Sequence, residues 1–158
     1  MLDEQTVREL NRLFGLDREA SAGKIRYRWQ SALQVQELGD FLIIPLTSSR
    51  ELSSEGWNME HCVAHYDADC AKGMYQVFSI RDLDGTRIAT LGLIYTAGVW
   101  RVDQCLGFRN EEVVTTFVEC VDQNGKHDSL EELTDLHFLS LEIVRLLNKE
   151  QHHGNDDK

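Results

Sequence analysis

The chain has no long apolar run. None of its hydrophobic segments approaches the roughly 20 residues that a membrane-spanning helix needs, so no span and no membrane partner are expected. It is also short of positive charge: 16 Lys+Arg stand against 27 Asp+Glu in 158 residues, a formal net charge of -11. Nucleic-acid backbones are gripped by Lys and Arg, so direct nucleic-acid binding over most of the surface is not expected. The four cysteines, Cys62, Cys70, Cys105 and Cys120, form no Cys-x-x-Cys pair. Neither a zinc knuckle nor a thioredoxin-type site is therefore indicated. The first ten residues, MLDEQTVREL, are charged from position 3 and do not read as a signal peptide. A cytoplasmic protein with reduced thiols is therefore expected. No internal repeat or low-complexity segment occurs.

What is present is an ordinary globular composition, 42% hydrophobic and 27% charged, with uneven charge. Residues 1–50 are neutral and hold a basic group, Arg8, Arg12, Arg18, Lys24, Arg26 and Arg28. Residues 51–110 carry net -3 and residues 111–158 net -8. The acidity thus sits mostly in the last third. The length suits one domain, read as residues 1–149, with 150–158 a polar, disordered tail.

The apolar pattern predicts an α+β fold: an antiparallel sheet of three to four strands with helices before, between and after the strands. Val7, Leu10, Leu13 and Phe14 sit at helical spacing over 3–14. Residues 24–38 fit strand or helix. Phe41–Ile44 reads as a strand ended by Pro45. Ser48 or Ser49 suits the N-cap of a short helix through Arg50–Leu52, and Asn58 that of a second helix from Met59 to about Ala71. Residues 74–82, 87–95 and 99–106 read as a meander, joined at Asp82–Gly85 and Ala97–Gly98. Asn110 suits the cap of a helix from Glu111 to about Asp122. Ser129 and Glu132 form a capping box for a final helix reaching Leu147.

Candidate chemistry concentrates in LSSEGWNMEHCVAHYDADCAKG, residues 52–73. Cys62 falls near the first turn of the expected second helix, where free backbone N–H groups and the helix dipole lower a thiol pKa. His61 and His65 are four apart, a metal-ligand spacing, but no third ligand stands out, and neither a metal nor a cofactor is predicted. The glutamate of the zinc-protease pattern His-Glu-x-x-His is replaced by Cys62. On the 99–106 strand, Trp100, Val102, Gln104 and Leu106 share one face by period two. Gln104 is then a polar group on an otherwise apolar face. Arg81 ends its strand, and Asn110 stands just beyond the sheet. Polar groups gathering where strands end suggest a site.

The ordered string Glu55-Gly56, Met59, His61-Cys62-Val63, Tyr66, Cys70, Gly73, Phe78-Ser79-Ile80-Arg81, Ala89-Thr90-Leu91, Trp100, Gln104, Gly107 and Asn110 resembles the PcfJ-like protein family, over about residues 41–122. The resemblance implies a setting on bacterial plasmids, prophages and other mobile elements, and it implies no particular reaction. Many relatives are longer at the N-terminus; here about 40 residues precede the similar part.

Three functions follow as expectations. The first is a binding or adaptor module of a mobile element or phage-defence system, with a protein partner and a polar pocket formed by Tyr66, Arg81, Gln104 and Asn110. The second is an enzyme of open reaction class using His61 and Cys62 as catalytic groups, with Gln104 and Asn110 positioning the substrate or binding an oxyanion. The third is an acidic inhibitor that covers the basic nucleic-acid-binding surface of another protein. Neither the substrate nor the oligomeric state is readable from the sequence.

Overall fold

The computed structural model describes residues 26–156, together with residues 3, 5 and 6; of residues 152–156 it describes the backbone only. Most of the helix predicted over 3–14, and Arg8, Arg12, Arg18 and Lys24 of the basic group, lie outside the described residues.

Among the described residues, seven strands and three α-helices follow in chain order: β1 (Gln36–Leu38), β2 (Phe41–Leu46), α1 (Ser49–Met59), α2 (Asp67–Ala71), β3 (Tyr75–Asp82), β4 (Arg87–Thr96), β5 (Val99–Leu106), β6 (Thr115–Val121), β7 (His127–Leu133) and α3 (Asp135–Asp156). The class is α+β, as expected, but the main sheet is larger than expected. Its five strands run antiparallel in the order β1-β2-β3-β4-β5, and β6 and β7 form a separate two-stranded ribbon.

The meander forms where the turn residues predict it. Ala97 and Gly98 both have positive φ, 52° and 83°, the mark of a type I′ turn that matches the twist of the strands it joins. Asp82 Oδ1 accepts from the backbone N–H groups of Asp84 and Thr86 and so closes the β3–β4 turn. Pro45 lies within β2 rather than ending it. It is opposite Phe78 of β3, while β1 pairs only with residues 41–43, so no ladder partner loses a hydrogen bond to the missing N–H.

α3 covers one face of the sheet. Leu136, Leu139, Ile143 and Leu147 pack against Ile43, Phe78, Ile80, Ala89, Leu91, Leu93, Trp100 and Cys105. Each buried Leu, Ile or Phe among them stabilises the fold by about 1.5–3 kcal/mol. α1, the turn at Val63–Tyr66 and α2 cover the other face, where Leu46, Leu52, Val63, Cys70, Tyr75 and Val77 make a smaller core.

Four helix expectations are corrected. α1 starts as predicted, with the Ser48 side chain accepting from Glu51 N–H, but it runs on through Asn58 and ends at Glu60 in the left-handed region. No second helix begins at Asn58, whose side-chain amide bonds back to Ser54 O. The chain instead makes a 3-10 turn at Val63–Tyr66 and then the short α2. Residues 115–121 are strand β6, not helix, and Ser129 lies opposite Glu119 in the ribbon rather than capping a helix. β-Branched Val113, Val114, Thr115 and Thr116 favour extended backbone. Asn124-Gly125, with Gly125 at φ 78°, supplies the tight turn. α3 therefore begins at Asp135 and extends into the 150–158 segment read as a tail.

Candidate polar cleft

α1 carries one carboxylate into the interior. Glu55 is fully buried, and three side chains from the sheet satisfy it. Its Oε1 accepts from Ser79 Oγ at 3.0 Å and Arg87 Nε at 2.8 Å, and its Oε2 accepts from Thr90 Oγ1 at 2.9 Å. Arg81, also fully buried, donates from Nε to Ser79 Oγ at 3.0 Å. Ser79 and Arg81 alternate along β3 with Phe78 and Ile80, so the face that is apolar at Tyr75 and Val77 turns polar at Ser79 and Arg81, while the other face belongs to the α3 core. Buried charge is tolerated only when paired and hydrogen-bonded, and these groups provide the pairing.

The network ends at His61. Its Nε2 lies 2.9 Å from Thr90 Oγ1. Thr90 has one hydroxyl proton and directs it to Glu55, so Thr90 Oγ1 accepts from His61. The imidazole proton is therefore on Nε2. Burial, the largest influence on the ring, holds the His61 pKa below its usual value, with Glu55 opposing. A neutral ring protonated at Nε2 leaves Nδ1 as a bare lone pair. That atom is buried and has no hydrogen-bond partner among the described residues.

His61 forms part of the wall of a cleft of about 350 Å³, together with Cys62, Val63, His65, Tyr66, Thr90, Gln104, Leu106 and Asn110. None of these nine is Asp, Glu, Lys or Arg, so the lining mixes polar and apolar groups and brings no carboxylate, ammonium or guanidinium. The cleft thus brings together five of the predicted site residues: His61, Cys62, Tyr66, Gln104 and Asn110. It does not include Arg81, which stays behind the wall in the Glu55 network.

Local backbone geometry places each group. Gly56 lets α1 close tightly, since a Cβ there would stand 2.8 Å from His61 O. Glu60, Arg109 and Asn110 all adopt positive φ, 50°, 54° and 62°. Such backbone costs a non-glycine residue about 1–2 kcal/mol, less for Asn. The Glu60–Arg109 ion pair joins the two strained segments across the cleft rim. Tyr66 stacks on Tyr75, with ring centroids 4.3 Å apart and planes 9° from parallel. Tyr75 reaches over Gly92 to donate to Asp103 Oδ2 at 2.8 Å; a Cβ on Gly92 would lie 2.0 Å from its hydroxyl. Burial, then the bond to Asp103, pushes the Tyr75 phenol pKa up.

Asp103 also explains why Gln104 reaches the cleft. The β4–β5 register jumps from Gly92 opposite Gln104 to Leu93 opposite Val102, leaving Asp103 as the extra residue of a bulge. The expected common face of Trp100, Val102, Gln104 and Leu106 is thereby broken. Trp100 and Cys105 join the α3 core, and Gln104 and Leu106 turn to the cleft.

Cys62 is exposed and precedes a 3-10 turn, not an α-helix, so the expected helix-dipole effect on its thiol has no structural basis. His61 and His65 both line the cleft, but not from one α-helical face. Among the described residues no three His, Cys, Asp or Glu side chains are placed to hold a metal ion. Among them, too, no helix is long and apolar enough to cross a membrane. Sequence reasoning missed Glu55, Arg87 and Thr90 as parts of the site. Thr90, flanked by Ala89 and Leu91 in a buried strand, was the available signal.

No curated protein and no solved structure matches the chain. The family model described as PcfJ-like protein matches residues 4–120. The match begins at residue 4 rather than near 41, and Arg26 and Trp29, which lie in the added stretch, are tied to the side of the sheet that α1 and α2 cover. Arg26 pairs with the buried Asp67 at 2.9 Å, and Trp29 Nε1 donates to Leu46 O at 3.0 Å. The chain belongs to the PcfJ-like protein family.

Proposed function

We propose that this chain is a binding module, an adaptor in a bacterial mobile element or phage-defence system, and that its polar cleft receives an uncharged group bearing a hydrogen-bond donor. The carrying observation is the His61 Nδ1 lone pair. It is buried, unpartnered among the described residues, and held in that form by the Thr90–Glu55 connection. A buried acceptor with no partner is costly, and a donor from an incoming group removes that cost. Gln104 and Asn110 each offer an amide with donors and an acceptor, and Tyr66 offers an aromatic edge or face. A lining without carboxylate, ammonium or guanidinium disfavours an ionised occupant. The mobile-element setting rests on the family resemblance.

The test is a titration of uniformly labelled protein with uncharged amides and nucleobases, acetamide, nicotinamide and cytosine, and with acetate as the charged control. Shifts in His61, Gln104 and Asn110 resonances with the uncharged probes but not acetate are expected. They should weaken as His61 becomes protonated. No shift at these residues with any uncharged probe would overturn the reading.

The same lone pair favours a second reading, in which His61 is a general base and Cys62 a nucleophile, with Gln104 or Asn110 orienting the substrate. Thiol labelling across pH separates the two. An enzyme thiol should react faster than an exposed thiol of pKa about 8.5, and its rate should fall in His61→Gln.

A further inference from the structure

The ribbon carries the second inference. Residues 115–133 hold five acids, Glu119, Asp122, Asp128, Glu131 and Glu132, against the single base Lys126. They also expose five large apolar side chains, Phe117, Val118, Val121, Leu130 and Leu133, each 40–70% accessible. Register sorts them onto two faces. Phe117 and Val121 share one face with Glu119, Glu131 and Leu133; Val118 and Leu130 share the other with Asp128 and Glu132. Both faces therefore mix carboxylates with apolar groups.

A two-stranded ribbon is marginally stable in water. Among the described residues this one is hydrogen-bonded to the rest of the fold at its base, where Thr134 N–H donates to Val114 O and Thr134 Oγ1 to Val113 O. Among the described residues neither of its outer edges pairs with another strand. Such an edge is a template for an added strand. The family match ends at residue 120, inside β6, so β7 lies outside the matched region.

We infer that the ribbon is a docking arm for an extended, basic segment of a partner protein. The segment adds along an open edge, sets Lys or Arg beside the ribbon's carboxylates and lays apolar side chains against Phe117, Val121, Leu133, Val118 and Leu130. Charge complementarity selects this occupant: a second copy of the ribbon would bring five acids against five acids, and like charges directly opposite destabilise strand pairs. The pattern that fits both faces repeats two basic and two apolar residues, because alternate residues of a strand point to opposite sides.

The full chain is titrated, by fluorescence anisotropy, with a labelled twelve-residue peptide repeating Lys-Lys-Val-Val. The controls are a Glu-Glu-Val-Val peptide and a Lys-Lys-Val-Val peptide with a central proline. Saturable binding of the first, weaker by about tenfold with either control and falling with added salt, is expected. Glu119→Lys with Glu131→Lys should weaken it by about tenfold again, and Phe117→Ser should weaken it less. All three positions are exposed, and a thermal melt confirms that each variant folds. Failure of the first peptide to bind, equal binding of the acidic peptide, or indifference to the charge reversals would overturn the inference. So would a dimer in sedimentation that Phe117→Ser abolishes, because it assigns the ribbon to a second copy.

Discussion

The cleft wall and the ribbon treat polarity in opposite ways. Around Glu55, charged and polar groups are buried and each carboxylate oxygen has a donor. In β6–β7, apolar groups are exposed and the carboxylates between them face water. The cleft side holds its shape through satisfied polar contacts, so a single deletion there strands several partners. The ribbon contributes little packing, so a deletion there costs little. The largest expected effect follows directly. Glu55→Ala withdraws the acceptor on which Ser79, Arg87 and Thr90 converge and should destabilise by about 3–5 kcal/mol. For a chain of this size, that lowers Tm by roughly 10 °C. Thermal unfolding followed by circular dichroism measures it; a loss below about 1 kcal/mol would mean that the buried network does not hold the fold.

Next in size is the aromatic crossing beneath the cleft. Gly92→Ala puts a methyl 2.0 Å from the Tyr75 hydroxyl, so Tyr75 must leave Asp103 and its stack on Tyr66. Overpacking of this kind costs about 1–3 kcal/mol. Tyr75→Leu removes the obstructing hydroxyl, and the double variant should therefore lose less than the two single variants together. Strictly additive losses in urea unfolding would show that the two positions are not in conflict.

His61 gives a smaller effect with a definite sign. Burial lowers its pKa in the fold, whereas the unfolded imidazole titrates near 6.5. Below about pH 6.5 the unfolded chain takes up a proton that the folded chain resists. Stability from this residue is complete above that pH and is lost as pH falls through the folded pKa. Urea unfolding of the native chain and of His61→Gln between pH 5 and 8 should show a shallower pH slope in the variant. Identical slopes would mean that His61 is not held neutral and would remove the basis for its lone pair.

These contrasts mark what the sequence made legible. The meander was readable because its turns carry their own chemistry, Asp82–Gly85 and Ala97-Gly98. Gln104 and Asn110 were readable as polar groups at strand ends, His61 and Cys62 as the chemistry-bearing pair of the 52–73 segment, and Tyr66 through the family-like string; that all five line one cleft is a fact of the fold. Arg81 misled because β3 is buried on both faces, which a strand-end position does not reveal. Glu55 and Thr90 stood in the family-like string without an evident role, since their roles exist only across α1 and β4. The bulge at Asp103 is a long-range event, needed to let Tyr75 cross Gly92, and no local pattern announces it. The ribbon was read as helices because Asn110-Glu111 and Ser129–Glu132 are good capping pairs. The extended preference of Val113–Thr116 and the Asn124-Gly125 turn prevailed.

The smallest expected effect sharpens the comparison most. Phe117→Ser and Leu130→Ser remove exposed apolar side chains from opposite faces of the ribbon. Surface substitutions away from packed features stay within about 0.5 kcal/mol, so both variants should unfold in urea almost as the native chain does. A loss above about 1 kcal/mol in either would mean that these side chains already pack within the chain. The ribbon would then be a structural element with no apolar surface to offer a partner. Near-neutral stability joined to weaker peptide binding would separate the two regions by role, with the cleft kept intact by what it buries and the ribbon serving through what it leaves exposed.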